Sequence, residues 1–382
     1  MTQIYLIRHA EAEGNLYRRI HGWYNSLITE NGYRQIDALE ERFRNINIDR
    51  VYSSDLFRTM TTAGAIWRSH GLLLDVRPGL REVCMGDWED HPWAEIQRTD
   101  AGRIALFNAS DPRWEAPRGE PFQQVQARVL DALRTIAAEN DGKTVAVFSH
   151  GMAIRTVLTA LHGLPMEEMK QIAHGDNTAV NLLEFTDGEG KVIFENDASH
   201  LPPELSTFAG QKWWKDERGS ANDENLYYRP LNLKTDSQFY YDARQEAWET
   251  VHGSLLNFDG DGFLADAREG VRRHPQALWQ AMLEEEPAGL LQLNIDRDAE
   301  AGIGWIPFFY MMPSYRRHGA GVQMLGQAIS VYRPLNRQYL RLRCAPDNAV
   351  AQRFYARNGF RKVGEDAGSR VPLDILQKYI GY

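Results

Sequence analysis

The chain has 382 residues, more than one hydrophobic core usually organises, so length alone points to two domains. Its 43% hydrophobic and 25% charged residues, without repeats or low-complexity tracts, exclude a long disordered or fibrous protein, and a net charge of -9 argues against a nucleic-acid surface. Cys84 and Cys344 are too few for a disulfide framework, Met1 to Ile7 reads as a strand with no basic leader, and no apolar run nears the roughly 18 residues of a membrane span, so a cytoplasmic protein without membrane partners is expected.

Ile4 to Ile7 form an apolar run that breaks at Arg8, as a buried strand ending at a functional edge would. Thr29 offers a helix cap before Ile36, Leu39 and Phe43 at helical spacing. Val51 to Ser53 reads as a second strand, followed by a helix from Asp55 to Ser69. Phe122, Val125, Val129, Leu133 and Ile136 mark an amphipathic helix, and Thr144 to Phe148 a strand. Such alternation predicts an α/β domain whose mostly parallel sheet carries helices on both faces, with ligands bound beyond the strands' C-terminal ends. The runs Val180 to Phe185 and Val192 to Phe194, around Asp187 to Gly190, predict a closing hairpin.

The first domain is placed at residues 1–200 and a connector at 201–226, containing Pro202-Pro203 and a pair, Trp213-Trp214, expected to be docked. The second domain, 227–382, begins with a strand from Tyr228 to Leu233 and continues with helices through about Met282. Strands follow near Leu290 to Ile295 and Gly304 to Met312, then a helix from Gly321 and a strand from Tyr339 to Arg343.

Arg8-His9, Arg58, Glu82 and His150-Gly151 stand out against this scaffold, because three of their stretches fall at or just after a strand end. In a parallel sheet those ends share one edge, so the groups can converge on one pocket. Phosphoryl transfer from an ester needs an in-line nucleophile, cations around the equatorial oxygens and an acid for the leaving oxygen. His9 suits the first role, Arg8, Arg58 and His150 the second, and Glu82 the third if its surroundings keep it protonated. Singly, each has a plainer reading: a solvated helix arginine, a loop carboxylate, a chance Arg-His pair. His174 reads as a loop residue, and Cys84 as packing.

These stretches, with His21 to Thr29, Gly32, Gln35 and Met85 to Glu89, resemble the histidine phosphatase superfamily, the phosphoglycerate-mutase-like fold, over roughly residues 1 to 200. The resemblance implies a three-layer α/β/α domain, a phosphohistidine at His9, phosphate held by Arg8, Asn15, Arg58 and His150, proton donation by Glu82, a small phosphorylated substrate and no metal. Ala10 and Asn25 depart from the commoner glycine and aspartate without replacing a catalytic group. The interval from Asp87 to Glu120 is short beside that of mutase relatives, which favours hydrolysis over a mutase reaction.

In the second half, Arg316-Arg317-His318-Gly319-Ala320-Gly321 lies at a strand-to-helix junction, where backbone N–H groups can close on a pyrophosphate. With the stretch Asn348 to Phe360 it resembles the GNAT family of acetyl-CoA-dependent N-acetyltransferases over roughly residues 227 to 382. That resemblance implies an α/β domain with a mixed sheet. The backbone of Tyr310, Met311 and Met312 would pair with pantetheine and the 316–321 loop would take the pyrophosphate. Asn348 would line the cofactor site, and Tyr355 would protonate the departing thiolate. The partner is then an amine acceptor. Its general base is unassigned; Glu284, Glu285 and Glu286 are candidates, although three adjacent glutamates also suit a solvated helix end. The composite reading is a bifunctional phosphatase and N-acetyltransferase. Its rivals are a phosphatase with a coenzyme A sensor, a phosphoglycerate-type mutase, and a phosphate-binding scaffold.

Overall fold

A computed structural model of the chain describes residues 1–210, 225–367 and 371–382. They divide into two compact units, Met1–Asp223 and Glu224–Tyr382.

The first unit is built on a six-stranded sheet of β1 (Thr2–Arg8), β2 (Arg50–Ser53), β3 (Leu74–Val76), β4 (Thr144–Ser149), β5 (Val180–Thr186) and β6 (Glu189–Asp197), ordered β3-β2-β4-β1-β5-β6. β1 to β4 pair in parallel, while β5 and β6 form the expected antiparallel hairpin. Successive side chains of a strand face opposite ways, and both faces here are covered. Ile4 and Leu6 pack with Val145 and Val147 into the core shared with helices Phe122–Glu139 and Gly151–Leu161. Ile7, Ala146 and Phe148 join the core of helices Glu30–Phe43 and Phe57–Trp67. The three layers therefore follow from the period-two alternation in β1 and β4.

Register aligns the strand ends, with Arg8 opposite Ser149 and Ser53 opposite Phe148. His9, Ser54 and His150 consequently leave the sheet side by side. Of the stretch expected as connector, residues 201–210 lie on the first unit, ending in the short helix Thr207–Gly210 with Thr207 and Phe208 buried. Trp213 and Trp214 lie outside the described residues.

The second unit has a seven-stranded sheet of β7 (Leu226–Pro230), β8 (Leu278–Leu283), β9 (Glu286–Asn294), β10 (Ile303–Met311), β11 (Tyr339–Cys344), β12 (Arg361–Asp366) and β13 (Leu373–Tyr379), ordered β12-β13-β11-β10-β9-β8-β7. Only β10 and β11 pair in parallel, so the sheet is mixed. The helical reading through Met282 is corrected: Leu278–Leu283 is a strand, and Glu284 and Glu285 are the hairpin turn before β9, Glu284 having φ 53°. Three glutamates looked like a helix end because local charge says nothing about strand pairing. Helices Ser237–His252 and Gly260–Arg273 share a core with Leu278, Leu290, Phe308 and Tyr310. Helix Gly321–Tyr332 lies against β10, where a Cβ on Gly304 would come within 2.5 Å of the Tyr332 ring.

β10 and β11 pair only from Ile303 opposite Tyr339 to Ile306 opposite Leu342. Pro307 follows, and a proline cannot donate to the ladder. From there to Met311, β10 keeps its partner β9 but has no register with β11.

Candidate functional sites

His9 stands at the end of β1, 2% exposed. Its Nδ1 is 2.7 Å from the Ala10 carbonyl oxygen, which can only accept, so Nδ1 carries the proton and Nε2 the lone pair. Burial, then the nearby Arg58, Arg8 and His21, hold its pKa well below the ordinary histidine value. The result is a neutral imidazole with a free Nε2 among cations. Its backbone is fixed as well: His9 N–H donates to Ser149 O at 3.1 Å, and His9 O accepts from Asn177 Nδ2 at 2.9 Å.

The His150 ring lies 5.3 Å from that of His9 and the His21 ring 5.7 Å away. His150 Nε2 is 2.7 Å from Ser54 Oγ, while Nδ1 is buried with no partner among the described residues. Arg8 donates through Nη1 to Gly175 O at 2.6 Å, and its Nε is likewise buried without an acceptor. Gly151 gives Arg8 room, since a Cβ there would be 3.3 Å from Arg8 Nε.

Arg58, fully buried, donates to the carbonyls of His21, Gly22 and Tyr24 at 3.0, 2.7 and 3.0 Å. That loop is held from the other side by Glu89, which accepts from Trp23 N at 2.6 Å and Tyr24 N at 2.8 Å. Asn25 Oδ1 accepts from Phe57 N at 2.7 Å, so the asparagine tethers the start of the helix carrying Arg58. Asn15 accepts from Ala12 N at 3.1 Å and lies 3.5 Å from Asn177 Nδ2, on the same side as His9.

Glu82 is buried against the start of helix Gly151–Leu161. Oε1 accepts from Val83 N and Ala153 N at 3.0 and 2.9 Å, and Oε2 from Met152 N at 3.1 Å. Both carboxylate oxygens thus accept from backbone N–H groups. The six expected groups thus come to one edge of the sheet, Arg8 and His9 together from the end of β1 and Asn15, Arg58, Glu82 and His150 each from a different stretch of the chain.

His21 and Glu89, which the sequence marks only as context, also lie at this edge. Residues beyond 200 also reach the site: Thr207 Oγ1 donates to Glu11 Oε2 at 3.0 Å, Ser206 Oγ to Asp176 Oδ2 at 2.5 Å, and Arg8 Cζ sits 5.7 Å from the centre of the Phe208 ring. The only sequence signal for them was Gln35, whose Nε2 donates to Leu205 O at 2.7 Å while its Oε1 accepts from Glu11 N at 2.7 Å. His174 is exposed, with its ring Nε2 3.1 Å from Arg155 Nη1.

In the second unit, Tyr310 and Met311 end β10 beyond the point where β11 departs, and Met312 N donates to Ala288 O at 2.9 Å. The loop after them turns through Arg317 at φ 68° and Gly319 at φ 92°, the left-handed region that favours glycine. A Cβ on Gly319 would meet no protein atom within 4 Å, so the space over this backbone is open. Ala320 stands immediately before helix Gly321–Tyr332 without a side-chain capping bond, and His318 lies in the same loop. Arg316 is committed within the protein, pairing with Glu246 Oε2 at 2.7 Å and donating to Met311 O at 2.8 Å. Asn348 Oδ1 caps helix Ala349–Arg357 by accepting from Ala351 N at 3.1 Å. Tyr355 is buried against Phe309, Phe354 and Phe360, and burial pushes its phenol far above the usual range. Its hydroxyl has no hydrogen-bond partner among the described residues. Glu284 and Glu285 lie at an exposed hairpin tip.

Comparison with known proteins agrees with both halves. The family profile described as "Histidine phosphatase superfamily (branch 1)" matches residues 4–198, and that described as "Acetyltransferase (GNAT) family" matches residues 237–360. "Probable phosphoglycerate mutase GpmB" of Yersinia pestis (strain Pestoides F) is 35% identical over 173 residues, 45% of this chain and 80% of the relative. The protein of that name from Cronobacter sakazakii is 35% identical over 166 residues, 43% of this chain and 77% of the relative. The solved structure of Bacillus stearothermophilus YhfR is 30% identical, spans 52% of this chain and 99% of its own, and superposes with a TM-score of 0.51. Among the described residues, no group of three or more His, Cys, Asp or Glu is arranged to hold a metal, and no helix is long and apolar enough to cross a membrane.

Proposed function

Since the chain belongs to the histidine phosphatase superfamily and carries a GNAT-family domain at residues 237–360, we propose that it hydrolyses a small phosphomonoester through a phosphohistidine at His9 and N-acetylates an amine at its second site. The observation that carries the first activity is the free Nε2 of a neutral His9 beside two buried donors, Arg8 Nε and His150 Nδ1, that have no acceptor among the described residues. Buried donors are rarely left unsatisfied, and a phosphoryl group would satisfy them.

His9 Nε2 attacks phosphorus as the bond to the ester oxygen breaks, and Glu82 supplies that oxygen's proton. Arg8, Arg58, Asn15 and His150 hold the equatorial oxygens, with Ser54 donating to His150 Nε2 so that Nδ1 can donate to phosphate. Water then attacks the phosphohistidine, Glu82 recovers a proton from it, and phosphate leaves. No step draws on a metal. His9→Ala should abolish release of phosphate from p-nitrophenyl phosphate with the fold retained; substantial turnover by this variant would refute the nucleophile. A mutase reaction is the second reading, favoured by the names of the Yersinia and Cronobacter relatives. Rephosphorylation of phosphoglycerate that depends on added bisphosphoglycerate would select it.

For the second activity, the chain offers the groups that coenzyme A needs: an unpaired strand edge from Pro307 to Met311, open backbone over Gly319, and the buried hydroxyl of Tyr355. Bound acetyl-CoA supplies an activated thioester. Tyr355, held protonated by burial, gives its proton to the sulfur. Arg316 braces the loop through Glu246, leaving pyrophosphate to backbone N–H groups. Binding of coenzyme A measured by calorimetry tests this half; its absence would reduce the second unit to a shared fold.

A further inference from the structure

The second unit holds a guanidinium, that of Arg244, that no carboxylate pairs among the described residues. Arg244, on helix Ser237–His252, has its Cζ 3.9 Å from the centre of the Phe308 ring, 4.6 Å from that of Phe263 and 5.4 Å from that of Tyr240. One edge of the fork is fixed: Nε donates to Tyr240 Oη at 2.9 Å and Nη2 to Gln292 Oε1 at 2.5 Å, while Tyr240 Oη donates to the same Oε1 at 2.7 Å. Nη1 has neither an acceptor nor an ion-pair partner among the described residues. Asp266 acts on Arg244 only from a distance, and desolvation outweighs it.

Aromatic faces offset part of the cost of burying a cation, but they leave the in-plane N–H groups unmet. A planar fork pinned along one edge, open along the other and walled by rings is preorganised for a planar oxyanion. Its position gives it meaning. Phe308 and Gln292 face each other across β10 and β9, just past the register shift after Trp305 and two residues beyond the last β10–β11 pair. Neighbouring strand residues point to opposite faces: Phe308 meets Arg244, whereas Phe309 meets Phe354 and Tyr355. Arg244 and Tyr355 therefore flank, from opposite faces, the place where the strands part.

We propose that Arg244 anchors a carboxylate on the amine acceptor, so that the acceptor class is amino acids and other amines bearing a carboxylic acid near the nitrogen. This rests on the acetyl-transfer reading above, with the thioester lying in the split and the acceptor approaching from the Arg244 face.

The test uses the full chain. Thiol release from acetyl-CoA is followed with glycine, β-alanine, glutamate and phenylalanine, each beside its decarboxylated or amide counterpart, and with O-phosphoethanolamine. The same carboxylates are titrated calorimetrically into coenzyme A-loaded protein. Carboxylated amines should be favoured on the order of 10- to 100-fold in kcat/KM or in affinity. Arg244→Met should erase that preference and Arg244→Lys restore part of it, with coenzyme A affinity unchanged in both. If Arg244→Met loses coenzyme A binding through misfolding, the comparison rests on Arg244→Lys, which must weaken the preference. A preference that survives substitution, equal use of neutral amines, a preference for O-phosphoethanolamine, or no carboxylate binding to the loaded protein would each overturn the proposal. Failure to bind coenzyme A would instead sink the transfer reading, and carboxylate titration of the unloaded protein and Arg244→Met would still decide the site.

Discussion

A histidine attacks phosphorus only as the free base, and burial with the neighbouring cations holds His9 in that form against the opposing pull of its hydrogen bond to Ala10 O, which fixes the remaining proton on Nδ1. The leaving oxygen has the opposite need. Glu82→Gln keeps the shape but cannot release a proton, so turnover should fall about 10²- to 10⁴-fold for alkyl phosphates and much less for an activated aryl phosphate. Equal losses with both esters would show that Glu82 only positions the start of helix Gly151–Leu161. Tyr355→Phe should leave coenzyme A affinity nearly intact and slow acetylation, because only the proton is lost; an equal fall in affinity would mark a packing ring. At this scale the sequence was informative where chemistry selects a residue type, as at Arg8, His9, Arg58, Glu82 and His150. It was less so for Asn25, Arg316 and Asn348, whose partners Phe57, Glu246 and Ala351 are set by folding.

Elements deliver these side chains, and the least legible of them is the segment after residue 200. Strands and helices of the first unit follow from apolar periodicity, but Ser206, Thr207 and Phe208 have no periodic signal, and their role depends on Gln35, Asp176 and Arg8 far away in sequence. Phe208→Ala in the full chain should uncover the Arg8 guanidinium and raise KM for phosphoesters several-fold, with kcat less affected. Unchanged KM would make the segment mere packing. Gly319→Val should weaken coenzyme A binding, since φ 92° is strained for a β-branched residue and its side chain would fill the open space over the loop. Calorimetry on the folded variant checks it, and undiminished affinity would separate this loop from the pyrophosphate. The strand Leu278–Leu283 was misread for a related reason: its hairpin partner and core neighbours, not its local composition, make it a strand.

For the whole molecule, the two units should answer acid differently. Burial holds His9, His21 and His150 well below the ordinary histidine value, and takes His200 to about 4. Above the unfolded value near 6.5 neither state is protonated at these rings; below it the unfolded chain binds protons that the folded unit refuses, so stability is lost as pH falls. Calorimetric unfolding at pH 7.5 and 5.5 should show the transition that vanadate raises moving down steeply over this window, and a pH-independent transition would contradict the buried neutral histidines. Length and composition made two units legible, but not how the segment leaving the first helps to complete its site. The proposed hydrolysis turns on chemistry at one atom, His9 Nε2. The most direct measurement is to quench the full chain in alkali during turnover of a phosphoester and to locate the phosphate by peptide mapping and phosphorus NMR. The prediction is a phosphoryl group on Nε2 of His9; phosphate on Nδ1, on another residue, or on none under conditions that trap phosphohistidine would contradict it.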